Sequence, residues 1–169
     1  MCTTELPAEG MLKLNTDGSR LSSSGIASAG GLVCDLAGGW MHGFVSNIGK
    51  ATNFIAELWG LKEGLLLCLS LDIRRLKVEL DSMIALQAVQ AECLPDGLAT
   101  ALILDIKALV ASFELCLLSH TLREGNSTAD FLASMGHSSP YGMTFLSSLP
   151  LGMASLLLGD AMGILFPRM

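Results

Sequence analysis

Two short runs of alternating apolar and polar residues, each ending in an aspartate, constrain the fold of this chain more than any other feature. In MLKLNTD, the side chains of Leu12, Leu14 and Thr16 alternate with polar ones up to Asp17, and RLKVELD repeats this strand pattern up to Asp81. If the two strands lie parallel and adjacent, both aspartates reach the carboxyl end of the sheet, where α/β folds bind ligands. The two runs therefore predict neighbouring carboxylates at one sheet edge.

Two further acids lie in predicted helices, Glu57 in FIAELWGL and Asp130 in NSTADFLA. With Asp17 and Asp81 they look like a divalent-metal site for cutting a phosphodiester, because Mg²⁺ prefers hard oxygen ligands. Four converging carboxylates repel one another, so we expect raised, coupled pKa values in the absence of metal. Two alternatives stay open: the helix acids complement helix dipoles, or all four are surface acids of an unrelated α/β protein.

The apolar periodicity predicts the element order β-β-β-α-β-α-α-β-α, an α/β fold with a mixed five-stranded sheet and helices on both faces. The Gly- and Ser-rich segment SRLSSSGIASAGG is predicted to be a turn that leads into a second strand at about 31–35. We expect an N-terminal tail at 1–10, one domain at 11–137, and a C-terminal tail or short packing helix at 138–169.

The composition indicates an intracellular protein, cytoplasmic or nuclear and not secreted. Its five cysteines are scattered without a CxxC pair, and we expect neither a secretory signal nor a membrane segment. The net charge of −6 argues mildly against nucleic-acid binding, which normally calls for a basic face. Two bound Mg²⁺ ions would cancel part of this charge. We therefore expect modest affinity for nucleic acid, with a strong dependence on salt and metal.

Five motifs, KLNTDGS, AGGLVCD, AELWGL, VELDS and SHTLREGNSTADFLA, follow one another between residues 11 and 136. In this order the chain resembles a plant-type ribonuclease H domain, related to the ribonuclease H modules of retroelement reverse transcriptases. The resemblance implies a monomeric endonuclease that hydrolyses the RNA strand of RNA/DNA hybrids with two Mg²⁺ ions, for which Mn²⁺ can substitute. It assigns the metal ligands by residue matching to Asp17, Glu57, Asp81 and Asp130.

The resemblance also assigns roles around the metal site. His120, ten positions before Asp130, matches the family's mobile catalytic histidine, although a histidine in a loop is also often only solvated. Substrate contact is assigned to Gly18, Ser19, Asn53, Ser82 and Asn126. For Asn53 the alternative is a helix cap. His42 and His137 belong to no motif and are interpreted as structural or exposed.

Two departures from the family pattern favour a second interpretation. Ser23 replaces an asparagine that reads the hybrid, and Met83 stands where many active members have a glutamine. Both changes weaken substrate contact and leave the metal ligands intact. The alternative function is a catalytically weak or inactive domesticated retroelement domain that binds nucleic acid or a protein partner. A third hypothesis is a scaffold whose leucine-rich segment after Pro150 recruits a partner.

Overall fold

Six strands form one mixed sheet in the computed structural model, which describes residues 10–94 and 97–162. The strands are β1 (Leu12–Arg20), β2 (Ile26–Cys34), β3 (Trp40–Lys50), β4 (Arg75–Leu80), β5 (Leu115–His120) and β6 (Gly142–Leu146). The helices are α1 (Asn53–Ser70), α2 (Met83–Gln90), α3 (Leu98–Ala111), α4 (Ser127–Met135) and α5 (Ala154–Met162). The strand order is β5-β4-β1-β2-β3-β6. The predicted α/β sheet is confirmed, and β6 adds a sixth strand to the five that were predicted.

The predicted parallel pairing of the first and fourth strands is confirmed. β1 and β4 are parallel neighbours, with Leu12 opposite Leu76 and Thr16 opposite Leu80. β5 continues the parallel half beside β4, while β2 and β3 are antiparallel to their neighbours. Since Asp17 and Asp81 each follow the last residue of this register, both aspartates reach the same end of adjacent strands.

Two hydrophobic clusters cover the two faces of the sheet. Among the described residues the larger one comprises 18 buried ones, from the strands, from α1, α2 and α3 and from the α3–β5 connection, and it includes the fully buried Leu58, Leu61 and Leu65. The smaller one comprises six buried residues, among them Leu132 of α4 and Met153 just before α5. Because helices lie on both faces, β1 is buried on both sides and its polar residues need internal partners.

The interpretation of residues 19–31 as a turn was wrong for most of its length. β1 continues to Arg20 and β2 already begins at Ile26. The small residues of β2 serve close packing against a helix: a Cβ atom on Gly30 would lie 2.4 Å from the backbone nitrogen of Ala133 in α4. Small residues in this strand therefore mark a helix contact that their turn propensity does not reveal.

Residues 138–162 are part of the folded structure. β6 pairs antiparallel with β3, Gly43 opposite Leu146 and Ser46 opposite Met143, and forms one edge of the sheet. α5 packs on α4, and Met153 is fully buried beneath the pair. Residues 1–9 of the predicted N-terminal tail and residues 163–169 lie outside the described part of the chain. Among the described helices, none combines the length and apolar character needed to cross a membrane.

Candidate metal centre

Three of the four predicted acids meet at the carboxyl end of the central strands. Asp17, Glu57 and Asp81 each offer a carboxylate oxygen, and these oxygens lie within 4.8 Å of one another. Asp17 is 4% and Glu57 7% exposed, and the Asp81 side chain is 6% exposed. Three buried carboxylates at this spacing form a set of hard donors that fits a divalent cation such as Mg²⁺.

Glu57 reaches the strands because α1 lies very close to β1. A Cβ atom on Gly18 would be only 2.6 Å from the backbone nitrogen of Glu57, so a larger residue there would push the helix away. Thr52 caps the helix with its hydroxyl, which accepts a hydrogen bond of 3.2 Å from the backbone N–H of Ile55. The cap fixes where the helix begins, and Gly18 fixes how closely it approaches Asp17.

The pKa values of all three clustered acids are raised above their usual range. Burial, followed by the negative charges of Glu57 and Asp81, raises the pKa of Asp17 strongly. Burial and then the charge of Asp81 raise the pKa of Glu57, and burial raises that of Asp81. Metal-free, the cluster therefore retains protons that a divalent cation would replace. The predicted rise in coupled pKa values is confirmed for these three groups.

The basic residue Arg123 contacts the cluster. The Nε atom of Arg123 lies 3.7 Å from Oδ2 of Asp81, and its charge lowers the pKa values of Asp81 and Glu57. The Arg123 side chain is 65% exposed, so water screens this ion pair. The guanidinium is therefore a weak substitute for a bound cation.

Asp130 lies at the rim and does not join the group of three. It is exposed in the first turn of α4, close enough to raise the pKa values of Asp17 and Asp81. Asn126, at the start of α4, is 1% exposed and ties this helix to β1. Its Nδ2 donates to the carbonyl of Thr16 (3.1 Å), and its Oδ1 accepts from Nδ2 of Asn15 (2.9 Å). The buried Asn126 amide is thus occupied by internal contacts.

Glu79, which shares the strand face of Asp81, is not part of the cluster. Its carboxylate lies 3.3 Å from Nζ of Lys77 and 3.8 Å from Nζ of Lys13, and it accepts a hydrogen bond from Asn15. Glu79 therefore pairs with lysines of β1 and β4 and lies outside the metal centre.

His120 is the last residue of β5 and lies beside Asp81, which directly follows β4. Its Nε2 lies 3.2 Å from the backbone carbonyl of Asp81, and the residue is exposed. This position places an exposed imidazole next to the backbone of Asp81.

Of the other residues predicted to contact substrate, Ser82 caps a helix and Asn53 is exposed. The Ser82 hydroxyl caps α2 by accepting from the N–H of Ala85 (3.2 Å). Asn53 is exposed, and the cap alternative for it was wrong because Thr52 occupies the cap position. Asn53 lines an open depression together with Arg20, Ser23 and Lys50.

Sequence reasoning missed a contact between Ser19 and His137. The Ser19 hydroxyl lies 2.9 Å from Nε2 of His137, two residues from Asp17 along β1. The Nδ1 atom of His137 is buried without a hydrogen-bond partner among the described residues, and burial lowers the pKa of this histidine. No motif marks His137, because the pairing joins residues 118 positions apart.

Comparisons with known proteins agree with this geometry. A sequence profile described as reverse transcriptase-like matches residues 15–136. An Arabidopsis thaliana protein named "Putative ribonuclease H protein" is 33% identical over 162 residues, which cover 96% of this chain and 26% of that protein. The chain thus spans about a quarter of the length of this curated relative.

Several solved structures share the fold. RNase H1 from the archaeon Halobacterium salinarum superposes with a TM-score of 0.71 at 21% identity, covering 76% of this chain and 98% of that one. The N-terminal RNase H domain of a Mycobacterium tuberculosis protein, solved as a fusion with maltose-binding protein, gives 0.70 at 24%, covering 76% and 94%. LC11-RNase H1, in complex with an RNA/DNA hybrid, gives 0.66 at 22%, covering 73% and 94%. The chain therefore belongs to the reverse transcriptase-like family and has the ribonuclease H-like α/β fold.

Proposed function

We propose that this chain is a metal-dependent endonuclease that hydrolyses the RNA strand of RNA/DNA hybrids. The observation that carries the proposal is the convergence of the Asp17, Glu57 and Asp81 carboxylate oxygens within 4.8 Å of one another. These residues come from two strands and a helix, and their raised pKa values indicate a demand for positive charge. A structural role would not require three mutually repelling acids in one place.

The three buried acids hold the metal in this proposal, and Asp130 completes the set from the solvent side. When bound, two Mg²⁺ ions, or Mn²⁺ in their place, supply an activated water and stabilise the leaving oxygen of an in-line displacement. Without a divalent cation, the clustered acids offer the substrate phosphate no positive charge. Cleavage therefore depends on the divalent cation at every substrate concentration.

His120 is the proton carrier in this proposal. The exposed imidazole stands beside Asp81, and no carboxylate fixes its ring among the contacts of the described residues. It can accept a proton at the scissile phosphate and release it to water. An exposed histidine beside the site suits both proton transfer and product departure.

The substrate surface lies around the depression that contains Arg20, Ser23, Lys50 and Asn53. Two basic side chains next to short polar ones suit contact with a phosphate backbone. Selection of RNA would depend on contacts with 2′-hydroxyl groups in a wide, shallow minor groove. Because these contacts would join cationic side chains to phosphates, we expect hybrid binding to weaken with salt, and the net charge of −6 should keep its affinity modest.

Cleavage of an end-labelled RNA/DNA hybrid by the parent protein and by Asp17→Asn, with Mg²⁺ or Mn²⁺ varied, tests this proposal. The parent should cut the RNA strand only when a divalent cation is present, and Asp17→Asn should leave the hybrid intact. Matched RNA/RNA and DNA/DNA duplexes test the substrate class. A parent protein that leaves the hybrid intact in both metals would overturn the endonuclease proposal.

A second candidate function is hybrid or structured-RNA binding without cleavage. The specific observations in its favour are Ser23 in the depression where the family carries an asparagine, and Met83, whose side chain is 43% exposed at the start of α2. Both residues lack the hydrogen-bonding reach of an amide side chain. Hybrid binding that survives Asp81→Asn, combined with no cleavage by the parent protein, would select this function.

A further inference from the structure

The helix that carries Asp130 receives its N-terminal cap from a distant segment of the chain. The two carboxylate oxygens of Asp160, in α5, accept hydrogen bonds from the backbone N–H groups of Ser127 (3.1 Å) and Thr128 (2.8 Å). These are the first two residues of α4, 33 and 32 positions before Asp160. The first N–H groups of a helix have no partner inside it, and a carboxylate there also meets the positive end of the helix dipole.

α4 needs this external cap because its own cap residue is committed elsewhere. Asn126 makes no side-chain cap bond to α4 among the contacts of the described residues; its amide is bonded to Thr16 and Asn15 of β1. Asn126 therefore fixes where α4 starts relative to Asp17, and Asp160 supplies the missing cap. The two residues divide between them a task that one side chain usually performs.

α5 is held firmly enough to present the carboxylate. Met153 is fully buried before its first turn, and Leu157 packs against the smaller hydrophobic cluster. At its other end, α5 lies so close to the β2–β3 turn that a Cβ atom on Gly38 would be 2.3 Å from Cβ of Ala161. The helix therefore has contacts on both sides of Asp160.

We propose that Asp160 is a positioning residue of the metal centre: by capping α4 it holds the helical turn that carries Asp130 toward Asp17 and Asp81. The inference rests on the proposed metal-dependent function. Asp130 lies three residues after Ser127, within one turn of the capped end, so the rotation of that turn sets the direction of its carboxylate. The segment beyond residue 136, outside the family match, thereby takes part in the metal centre.

The test compares Asp160→Ala, Asp160→Asn and Ser155→Ala in the full chain. Ser155 is an exposed residue of α5 and serves as the matched control. In metal-free protein, amide exchange of Ser127 and Thr128 should accelerate about fivefold in Asp160→Ala, less in Asp160→Asn, and stay unchanged in Ser155→Ala. If the amides of Ser127 and Thr128 exchange in Asp160→Ala at the rates of the parent protein, Asp160 does not cap α4.

Calorimetric Mg²⁺ titration tests the positioning role separately. We expect the dissociation constant to rise about fivefold in Asp160→Ala and to recover partly in Asp160→Asn, which retains one acceptor oxygen. In Asp130→Asn, the further change Asp160→Ala should then have no effect on Mg²⁺ affinity, because the two residues act as one unit. If the effects of Asp130→Asn and Asp160→Ala on the Mg²⁺ dissociation constant multiply in the double variant, Asp160 does not act through Asp130 and the positioning role is overturned. A parent protein without Mg²⁺ affinity would overturn the metal-centre proposal itself, while the exchange data would still decide the cap.

Discussion

The two helical layers hold the metal centre by different interactions. On one face of the sheet, α1, α2 and α3 share a cluster of 18 buried residues with the strands, and Glu57 is carried by this apolar packing. On the other face, α4 and α5 share six buried residues with the sheet, and the α4 layer depends also on the buried amide of Asn126 and the carboxylate of Asp160. Apolar packing positions one acid, and polar tethers position the other.

The two acids carried by helices, Glu57 and Asp130, therefore differ in burial and in distance from the other carboxylates. Glu57 is 7% exposed and lies among the clustered oxygens. Asp130 is exposed at the rim. The buried position of Glu57 tolerates little change of side chain, whereas at the exposed position of Asp130 a water molecule can take the place of a lost carboxylate oxygen.

The largest expected difference between Glu57 and Asp130 is in the loss of activity when each is substituted. We expect Glu57→Gln to lower the single-turnover rate of hybrid cleavage by about 10³-fold and Asp130→Asn by about tenfold, because only Glu57 belongs to the buried cluster. Glu92→Gln, an exposed acid outside the cluster, is the control and should cleave at the parent rate. Equal losses in Glu57→Gln and Asp130→Asn would contradict the distinction between the two layers.

Stability should also differ between the layers. Leu61 of the larger cluster and Leu132 of the smaller one are both fully buried. We expect Leu61→Ala to reduce the free energy of unfolding by about 4 kcal/mol and Leu132→Ala by about 3 kcal/mol. The smaller cluster around Leu132 has fewer buried neighbours, so it can relax further into the cavity that the substitution leaves. Urea unfolding measures both values. Leu158→Ala, 59% exposed on α5, should change little, and a larger loss for Leu132 would reverse the ranking.

The pH dependence of stability should report the buried cluster. The raised pKa values of Asp17 and Glu57 mean that the folded state binds protons more tightly than the unfolded chain. This stabilisation is complete below the unfolded pKa of about 4 and is lost as the pH rises through the folded values. The metal-free protein should therefore become less stable as the pH rises.

Mg²⁺ competes with these protons, so its effect on the melting temperature should grow with pH. At 100 times its dissociation constant a ligand stabilises by about 2.7 kcal/mol, and we expect a clearly larger shift at about pH 8 than at about pH 5.5. Asp17→Asn should flatten the pH profile and abolish the Mg²⁺ shift. A shift of equal size at both pH values would show that the buried acids do not exchange protons for metal.

The smallest effect is expected at Arg123. Its exposed guanidinium lies 3.7 Å from Asp81 and competes with a bound cation for the same carboxylate. Since exposed ion pairs contribute little, Arg123→Gln should tighten Mg²⁺ binding only about twofold in calorimetry. Lys50→Gln is a control of the same charge change in the open depression. Weaker Mg²⁺ binding in Arg123→Gln would indicate that the arginine supports the site.

Much of the centre could be predicted because its strongest members are marked by local pattern. Strand alternation placed Asp17 and Asp81 at equivalent ends of parallel neighbours, and helical periodicity placed Glu57 near the start of α1. The start of β2 was mispredicted because Gly, Ala and Ser indicate turns locally, whereas here they allow the close approach of α4 to Gly30 and of α1 to Ala29. β6 was not predicted, although the segment alternates; its apolar Met143 and Phe145 face solvent at the sheet edge.

The amino-acid sequence by itself determined the order of the first nine strands and helices, the parallel pairing at the centre and the positions of Asp17, Glu57 and Asp81 on these elements, because each follows from a short-range periodicity. Only the tertiary structure decided that Asp160 caps α4, that Ser19 meets His137 and that Arg123 reaches Asp81. These contacts join segments tens of residues apart, or surface groups that no periodicity marks. Single polar contacts of this kind leave no pattern in the chain, because their partners are chosen by the packing of whole elements.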